Sequence, residues 1–315
     1  MGTVPPSAAR ARAALALAAV LWSTGSLFMR LLREPMGLGL DRPALDPLQI
    51  AFFRGLFAGV VLVPLVRPRD VRLRPAMVGM VGCFGLMSGL YLSALGLGQA
   101  ANAILLQYSA PFWVYLIGVY LLGDPADRRN WRAILLGLCG TMLIVAGNWS
   151  PGDAAHGDTS QSLVLLMGLG SGLTYAWVVL FLRGLRAESS AWLMVLNLFG
   201  SSALIGGFIV AREEWDVAQG WFTAPSAAQL AVLFVFGAVQ MAAPYWLFAR
   251  SLRSVSPQEA GIITLLEPVL NPVWAYLIAP DKETPTAWTV AGGLLLLGAL
   301  AWRYLPVRRR LAPEG

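Results

Sequence analysis

Apolar positions in this chain come in long unbroken blocks, not as the one-sided stripe of a soluble helix or the alternation of a strand. Ten blocks stand out, at roughly 12–32, 48–66, 76–97, 101–122, 131–148, 162–182, 191–210, 227–249, 258–279 and 287–305. Each is close to the ~20 mostly apolar residues that cross a bilayer as a helix. A soluble amphipathic helix keeps a charged face, and these blocks lack one. The segments between them are mostly short, leaving no room for a separate soluble domain. The pattern predicts an all-α integral membrane protein with ten transmembrane helices. Arg10 and Arg12 ahead of the first block resemble the start of a secretory signal. No small-residue cleavage site follows before Met29-Arg30-Leu31-Leu32-Arg33, so the block reads as an uncleaved first helix.

The blocks repeat. Pro111, Asp124 and Trp131 recur as Pro268, Asp281 and Trp288, shifted by 157 residues. Trp22 and Arg30 in the first block match Tyr175 and Arg183 in the sixth, and Tyr91-Leu92 matches Tyr245-Trp246. Five helices is an odd number, so the second unit enters the membrane upside down relative to the first. The expected organisation is two inverted five-helix repeats, 10–150 and 160–310, flanked by cytoplasmic tails at 1–9 and 311–315. Internal repeats of this kind in a membrane protein point to alternating access, in which one half moves against the other.

Composition agrees: 57% of residues are hydrophobic, 13% are charged and mean hydropathy is +0.65, against about 25% charged in a soluble domain. The 23 Lys and Arg residues fall unevenly. With an inside amino terminus, Arg10 and Arg12, the Arg67–Arg74 group, Arg128, Arg129 and Arg132, Arg183 and Arg186, Arg250 and Arg253, and Arg303 with Arg308–Arg310 all lie on one side. Only Arg33, Arg42, Arg212 and Lys282 lie on the other. The positive-inside rule then places both termini in the cytoplasm, for a multi-pass protein of a bacterial plasma membrane. The same rule accounts for the net charge of +6, so the charge gives no reason to expect nucleic acid as a partner. The partners implied are lipid and a small-molecule substrate.

Chemistry-bearing motifs are sparse. No Gly-Lys-Ser/Thr loop is present, which argues against direct ATP drive. Gly168-Leu169-Gly170-Ser171-Gly172 sits inside an apolar block and is no dinucleotide fingerprint. Cys83 and Cys139 are expected to pack as small buried residues. His156 is alone with Asp153 and Asp158 in a loop. No cofactor, metal site or catalytic residue is expected, because no block holds a histidine or a mid-depth pair of carboxylates.

The segments around Pro111…Gly123-Asp124 and Leu266-Glu267-Pro268-Val269…Asp281 resemble the fourth and ninth helices of the drug/metabolite transporter superfamily, in its ten-helix EamA-type exporters. Nearly the whole chain takes part in the resemblance. Where that family has Gly-Glu at the end of the second copy, this chain has Pro280-Asp281. The resemblance implies export of metabolites, and the chain is most similar to the YddG-like exporters of aromatic amino acids.

Polar and aromatic residues concentrate in blocks one, three, four, six, eight and nine, and such groups are costly in hydrocarbon unless they pair or meet water. A shared cavity accommodates them. Trp22, Tyr91, Tyr108, Tyr175 and Tyr245 lie too deep for an interfacial belt, and Gln107, Gln240, Asn197 and Asn271 add amides. Glu267 is the strongest single candidate, since an ionisable group at mid-depth is a functional-site hypothesis by default. It can meet a substrate ammonium or carry a proton; alternatively it pairs with Arg54 or bonds backbone freed by Pro268 or Pro272. Arg54 can face a substrate carboxylate, or snorkel. Snorkelling is favoured for Arg30. Pro111, Pro244, Pro268 and Pro272 are expected as hinges, since proline removes a backbone donor and crowds the preceding turn. Two substrate classes fit: amino acids with aromatic or large apolar side chains, or organic cations such as methyl viologen held by Glu267 and ring faces. A lipid-directed membrane enzyme or a scaffold fits less well.

Overall fold

The structure, a computed structural model, describes residues 8–126, 128–149, 159–252 and 254–304. His156, Asp153, Asp158, Arg253, Arg308–Arg310 and most of both expected tails lie outside the described residues. Among the described residues the chain is helical throughout. The helices are α1 (Ala8–Ser23), α2 (Gly25–Arg33), α3 (Pro47–Leu62), α4 (Pro75–Leu97), α5 (Ala100–Gln107), α6 (Ala110–Tyr120), α7 (Arg128–Gly147) and α8 (Gln161–Gly184). They continue as α9 (Ser190–Arg212), α10 (Trp215–Thr223), α11 (Ala227–Val235), α12 (Ala243–Ser251), α13 (Pro257–Thr264), α14 (Leu266–Ile278), α15 (Pro280–Glu283) and α16 (Ala287–Tyr304).

Nine helical runs in the described residues are long and apolar enough to cross a membrane, several of them built from two helices in sequence. The remaining apolar block forms α16, where Trp288, Trp302, Arg303 and Tyr304 dilute an otherwise Leu-, Gly- and Ala-rich sequence.

Four runs are interrupted, and the interruptions have local causes. Pro111 follows the break between α5 and α6 at Tyr108–Ser109, and Pro268 follows the break between α13 and α14 at Leu265. Pro244 directly follows a π-helical stretch, Phe236–Ala242, that joins α11 to α12. A proline ring crowds the carbonyl four residues earlier, and widening the turn relieves that crowding. The α1–α2 break at Thr24 has no proline. There Ser23 Oγ and Thr24 Oγ1 donate back to the carbonyls of Val20 and Leu21, at 2.7 and 2.6 Å, a competition that bends helices. Pro272 lies inside α14, which continues through it.

Side pairing sets the frame. α7 and α16 run against each other, α4 packs on α8 and α9, α3 on α9 and the π stretch, and α1 on α12 and α14. The α7–α16 seam is as tight as backbones allow. A Cβ on Gly140 would lie 2.5 Å from the Gly292 carbonyl oxygen, and one on Gly292 as close to that of Gly140. Cys83 is half-buried, but Cys139 is exposed on the outer face of α7, contrary to the expectation of two buried cysteines.

Arg30 is also a correction. It does not snorkel: it is 1% exposed and forms an ion pair with Glu283, itself 1% exposed. Its guanidinium also reaches the carbonyls of Gly96 in the last turn of α4 and of Gly98 just past it, at 3.4 and 2.5 Å. Glu34 lies 3.8 Å from Arg30 and 2.7 Å from Lys282, and Glu283 accepts from the Ala100 N–H at the start of α5, at 2.8 Å. Snorkelling fails because the neighbouring chain supplies carboxylates and free helix-end carbonyls closer than water. This cluster ties α2, α4, α5 and α15 together at one end of the bundle. At the opposite end of the bundle the ion pairs are more open: Asp124–Arg183 (2.5 and 2.9 Å), Arg12–Glu259 and Arg74–Glu188. Hydrogen bonding to Arg183 holds the Asp124 carboxyl below the usual carboxylate range.

Candidate functional site

The broken runs surround a cavity of about 400 Å³, within the range of about 300–1,000 Å³ usual for small-molecule sites. Trp22, Arg54, Tyr91, Gln107, Tyr108, Tyr175, Gln240, Tyr245 and Glu267 all line it, as does Pro111. Asn271 does not. It is fully buried beside α2, where its backbone carbonyl accepts from Ser26 Oγ at 2.5 Å. Its side-chain amide lies near Tyr91 but makes no hydrogen bond of normal geometry. Asn197, fully buried in α9, is likewise outside the lining. Pro244, Pro268 and Pro272 stand behind the wall, not in it.

Proline chemistry builds one pole of the site. Pro268 has no N–H for the Thr264 carbonyl four residues earlier. The Tyr108 hydroxyl, at the break between α5 and α6, lies 3.4 Å from that carbonyl and 2.7 Å from Glu267 Oε2. The single phenolic proton goes to one acceptor at a time, and the shorter contact assigns it to the carboxylate. The alternative in which Glu267 pairs with Arg54 is not what forms. The close approach of α8 completes this corner: a Cβ on Gly172 would meet the Leu106 carbonyl at 2.7 Å.

Arg54 marks a second pole. It is 4% exposed and donates to Gln240 Oε1 at 3.2 Å and Ser88 Oγ at 3.4 Å. Its guanidinium stands 5.3 Å from the centre of the Phe236 ring. Gln240 is held in turn by its Nε2, which donates to the Trp22 carbonyl at 3.0 Å, so the amide is oriented by backbone. Gln240 opens the four-residue step to Pro244, and the π stretch sets which way its side chain points. Tyr91 and Tyr245 line the same cavity as Arg54 and Glu267. Trp22 packs edge-on to Tyr245 at 5.3 Å and against Phe248 at 5.4 Å.

Phe84, Met87, Met241, Phe248, Arg303 and Tyr304, which the sequence did not single out, also line the cavity, as does Thr264. The first four look like any apolar residue in a span. Arg303 and Tyr304 read as the charged end of the last block, yet Arg303 donates to the Pro111 carbonyl at 2.5 Å. A signal was available there, because the carbonyls around a predicted helix break need donors. Among the described residues, no group of His, Cys, Asp and Glu side chains is arranged to hold a metal.

A cavity lined by paired charges and rings at helix breaks suits reversible binding of a small amphipathic molecule. The model of the EamA-like transporter family matches the chain twice, at residues 11–146 and 162–304. The chain belongs to the EamA-like transporter family. It is a membrane transporter, not an enzyme. Among relatives of this EamA-family chain, an uncharacterized transporter of Archaeoglobus fulgidus is 28% identical over 92% of the chain and 96% of the relative. The pseudopaline exporter CntI of Pseudomonas aeruginosa is 24% identical over 80% and 84%. An S-adenosylmethionine uptake transporter of Rickettsia prowazekii is 23% identical over 81% and 82%. A crystal structure 18% identical shares the fold, with a TM-score of 0.61 over 96% of this EamA-family chain and all of its own.

Proposed function

We propose that this EamA-family protein is a secondary transporter that exports amino acids with aromatic or large apolar side chains, and related small metabolites. Transport runs by alternating access through the central cavity. The reading takes the chain as ten spans in two inverted repeats with both termini cytoplasmic, in a bacterial plasma membrane. The two separate family matches support the repeat. So does the packing, because α4 on α8 is answered by α12 on α1, α5 on α8 by α13 on α1, and α6 on α8 by α14 on α1. The observation that carries the reading is Glu267, joined to Tyr108 across two helix breaks and facing the cavity. A carboxylate there can receive a substrate ammonium by displacing one hydroxyl, while Trp22, Tyr175, Tyr245 and Phe248 cover an apolar side chain. Pro111, Pro244, Pro268 and Pro272 supply the hinge positions.

A second reading keeps Glu267 and the rings and replaces the amino acid with an organic cation, a cargo for which one carboxylate and aromatic faces suffice. Purified protein in liposomes, offered labelled phenylalanine, threonine and methyl viologen, separates the two. Saturable phenylalanine flux that is lost in Glu267→Gln supports amino-acid export. Viologen flux alone selects the cation reading. No flux of any of the three sinks both.

A further inference from the structure

We infer that Arg54 is the receptor for a carboxylate on the transported molecule, so that an anionic group is required of the substrate. This rests on the transport reading above and names the substrate class that the cavity admits. Arg54 is almost wholly buried yet lines the cavity. Among the described residues no carboxylate comes within ion-pair distance of it, and its Nε has no hydrogen-bond partner. The acceptors it does have, Gln240 and Ser88, are neutral, and the second lies at the long limit of 3.4 Å. A buried charge without a counter-ion costs several kcal/mol, and neutral acceptors return about half of what a carboxylate would. The other deeply buried arginine among the described residues, Arg30, has Glu283 and Glu34. Arg303 also lines the cavity, but it is less buried and donates to the Pro111 carbonyl, whereas Arg54 has only neutral side-chain acceptors.

The surroundings hold Arg54 in place without neutralising it. Gln240 is fixed by the Trp22 carbonyl, and the Phe236 face backs the guanidinium. A planar fork with free N–H groups suits two carboxylate oxygens. Glu267 lines the same cavity without pairing with Arg54, so the cavity carries an acidic and a basic group that are not spent on each other. A zwitterion satisfies both. A cation with no acid group leaves Arg54 uncompensated and adds a like charge near it, so the arrangement favours amino acids over viologen-type cargo.

The test compares phenylalanine with phenylalaninamide by thermal-shift titration of the purified full-length wild type. Below about pH 6.5, where the α-amino group of the amide is protonated too, the two ligands share ring and ammonium and differ only in the acid, so no variant is needed for the first result. Phenylalanine is expected to bind about ten- to hundredfold more tightly, the fold-change of one charge-assisted hydrogen-bond set. In Arg54→Gln the acid and amide are expected to bind equally and weakly. Arg54→Lys, which keeps the charge but loses the fork, should keep a reduced preference for the acid. Glu267→Gln should retain the acid preference while binding more weakly overall, which separates this inference from the role of Glu267. Equal affinity for acid and amide in the wild type overturns the inference, as does an acid preference that survives Arg54→Gln. Tighter binding of the amide overturns it in favour of cation cargo. If neither ligand binds, the amino-acid reading fails and the inference falls with it.

Discussion

Replacing Glu283 by Gln keeps the shape of the Arg30 cluster and removes one charge. Arg30 is then left 1% exposed with Glu34 at 3.8 Å as its remaining counter-ion. Breaking a buried pair from one side costs about 3–5 kcal/mol; because Glu34 stays, the lower figure, about 3 kcal/mol, is expected. Arg30→Met should cost at least as much, since the Gly96 and Gly98 carbonyls lose their donor as well. The double variant Arg30→Met, Glu283→Gln should cost less than the sum, because neither residue then leaves a bare charge. Burial pushes the Glu283 carboxyl up by more than Arg30 and the Ala100 N–H bring it down. Desolvation therefore outweighs attraction, and removing both charges together is expected to be mild. The assay is a double-mutant cycle on reversible unfolding in mild detergent, read by tryptophan fluorescence. A coupling of about 2–3 kcal/mol supports the reasoning. Additivity within about 0.5 kcal/mol would refute it, and the cluster would then be a set of independent contacts.

The same carboxyl predicts a pH dependence. With its folded value raised, Glu283 binds more protons folded than unfolded, so stability should fall as pH rises from about 4.5 through the raised value; unfolding of Glu283→Gln should lose that slope. Asp124 behaves oppositely. Its lowered value means that its pairing with Arg183 contributes above the unfolded carboxylate value and is lost only in stronger acid. Asp124→Asn should therefore remove stability dependence below about pH 4, checked by the same titration. Gly140→Leu should drive α7 from α16 and lower the melting temperature sharply, because the added side chain meets the Gly292 carbonyl at 2.5 Å from its first carbon; an unchanged melting curve would rule out the seam as described. Pro244→Ala allows a regular α turn in place of the π stretch and should rotate Gln240 away from Arg54, cutting transport at least about tenfold with little loss of fold; full transport in that variant would show the wide turn to be incidental.

How much was legible in the sequence follows from what each residue announces by itself. Tyr108, Tyr175, Gln240 and Glu267 stand out against apolar neighbours, and a polar group at mid-depth has few places to go, so the cavity wall is nearly written in the text. Partnership is not. Arg30 looks like any arginine near a helix end until Glu283 is placed beside it, and Glu267 gives no sign that Tyr108, rather than Arg54, is its partner. Breaks caused by Pro111 and Pro268 were foreseeable. The break at Thr24 was not, since Ser and Thr bend a helix only when their hydroxyls turn back on it. Asn271 misled because an amide in a span reads the same whether it faces a cavity or a neighbouring helix.

The Arg30–Glu283 pair has a meaning for how the chain is made. Arg30, in α2, leaves the ribosome well before Glu283, in α15, with which it pairs. At about 5–20 residues per second, the roughly 250 residues between them take on the order of tens of seconds to synthesise. Throughout that interval α2 holds an arginine whose main counter-charge does not yet exist. The end of the bundle joined by this pair therefore cannot be completed until α15 has been made.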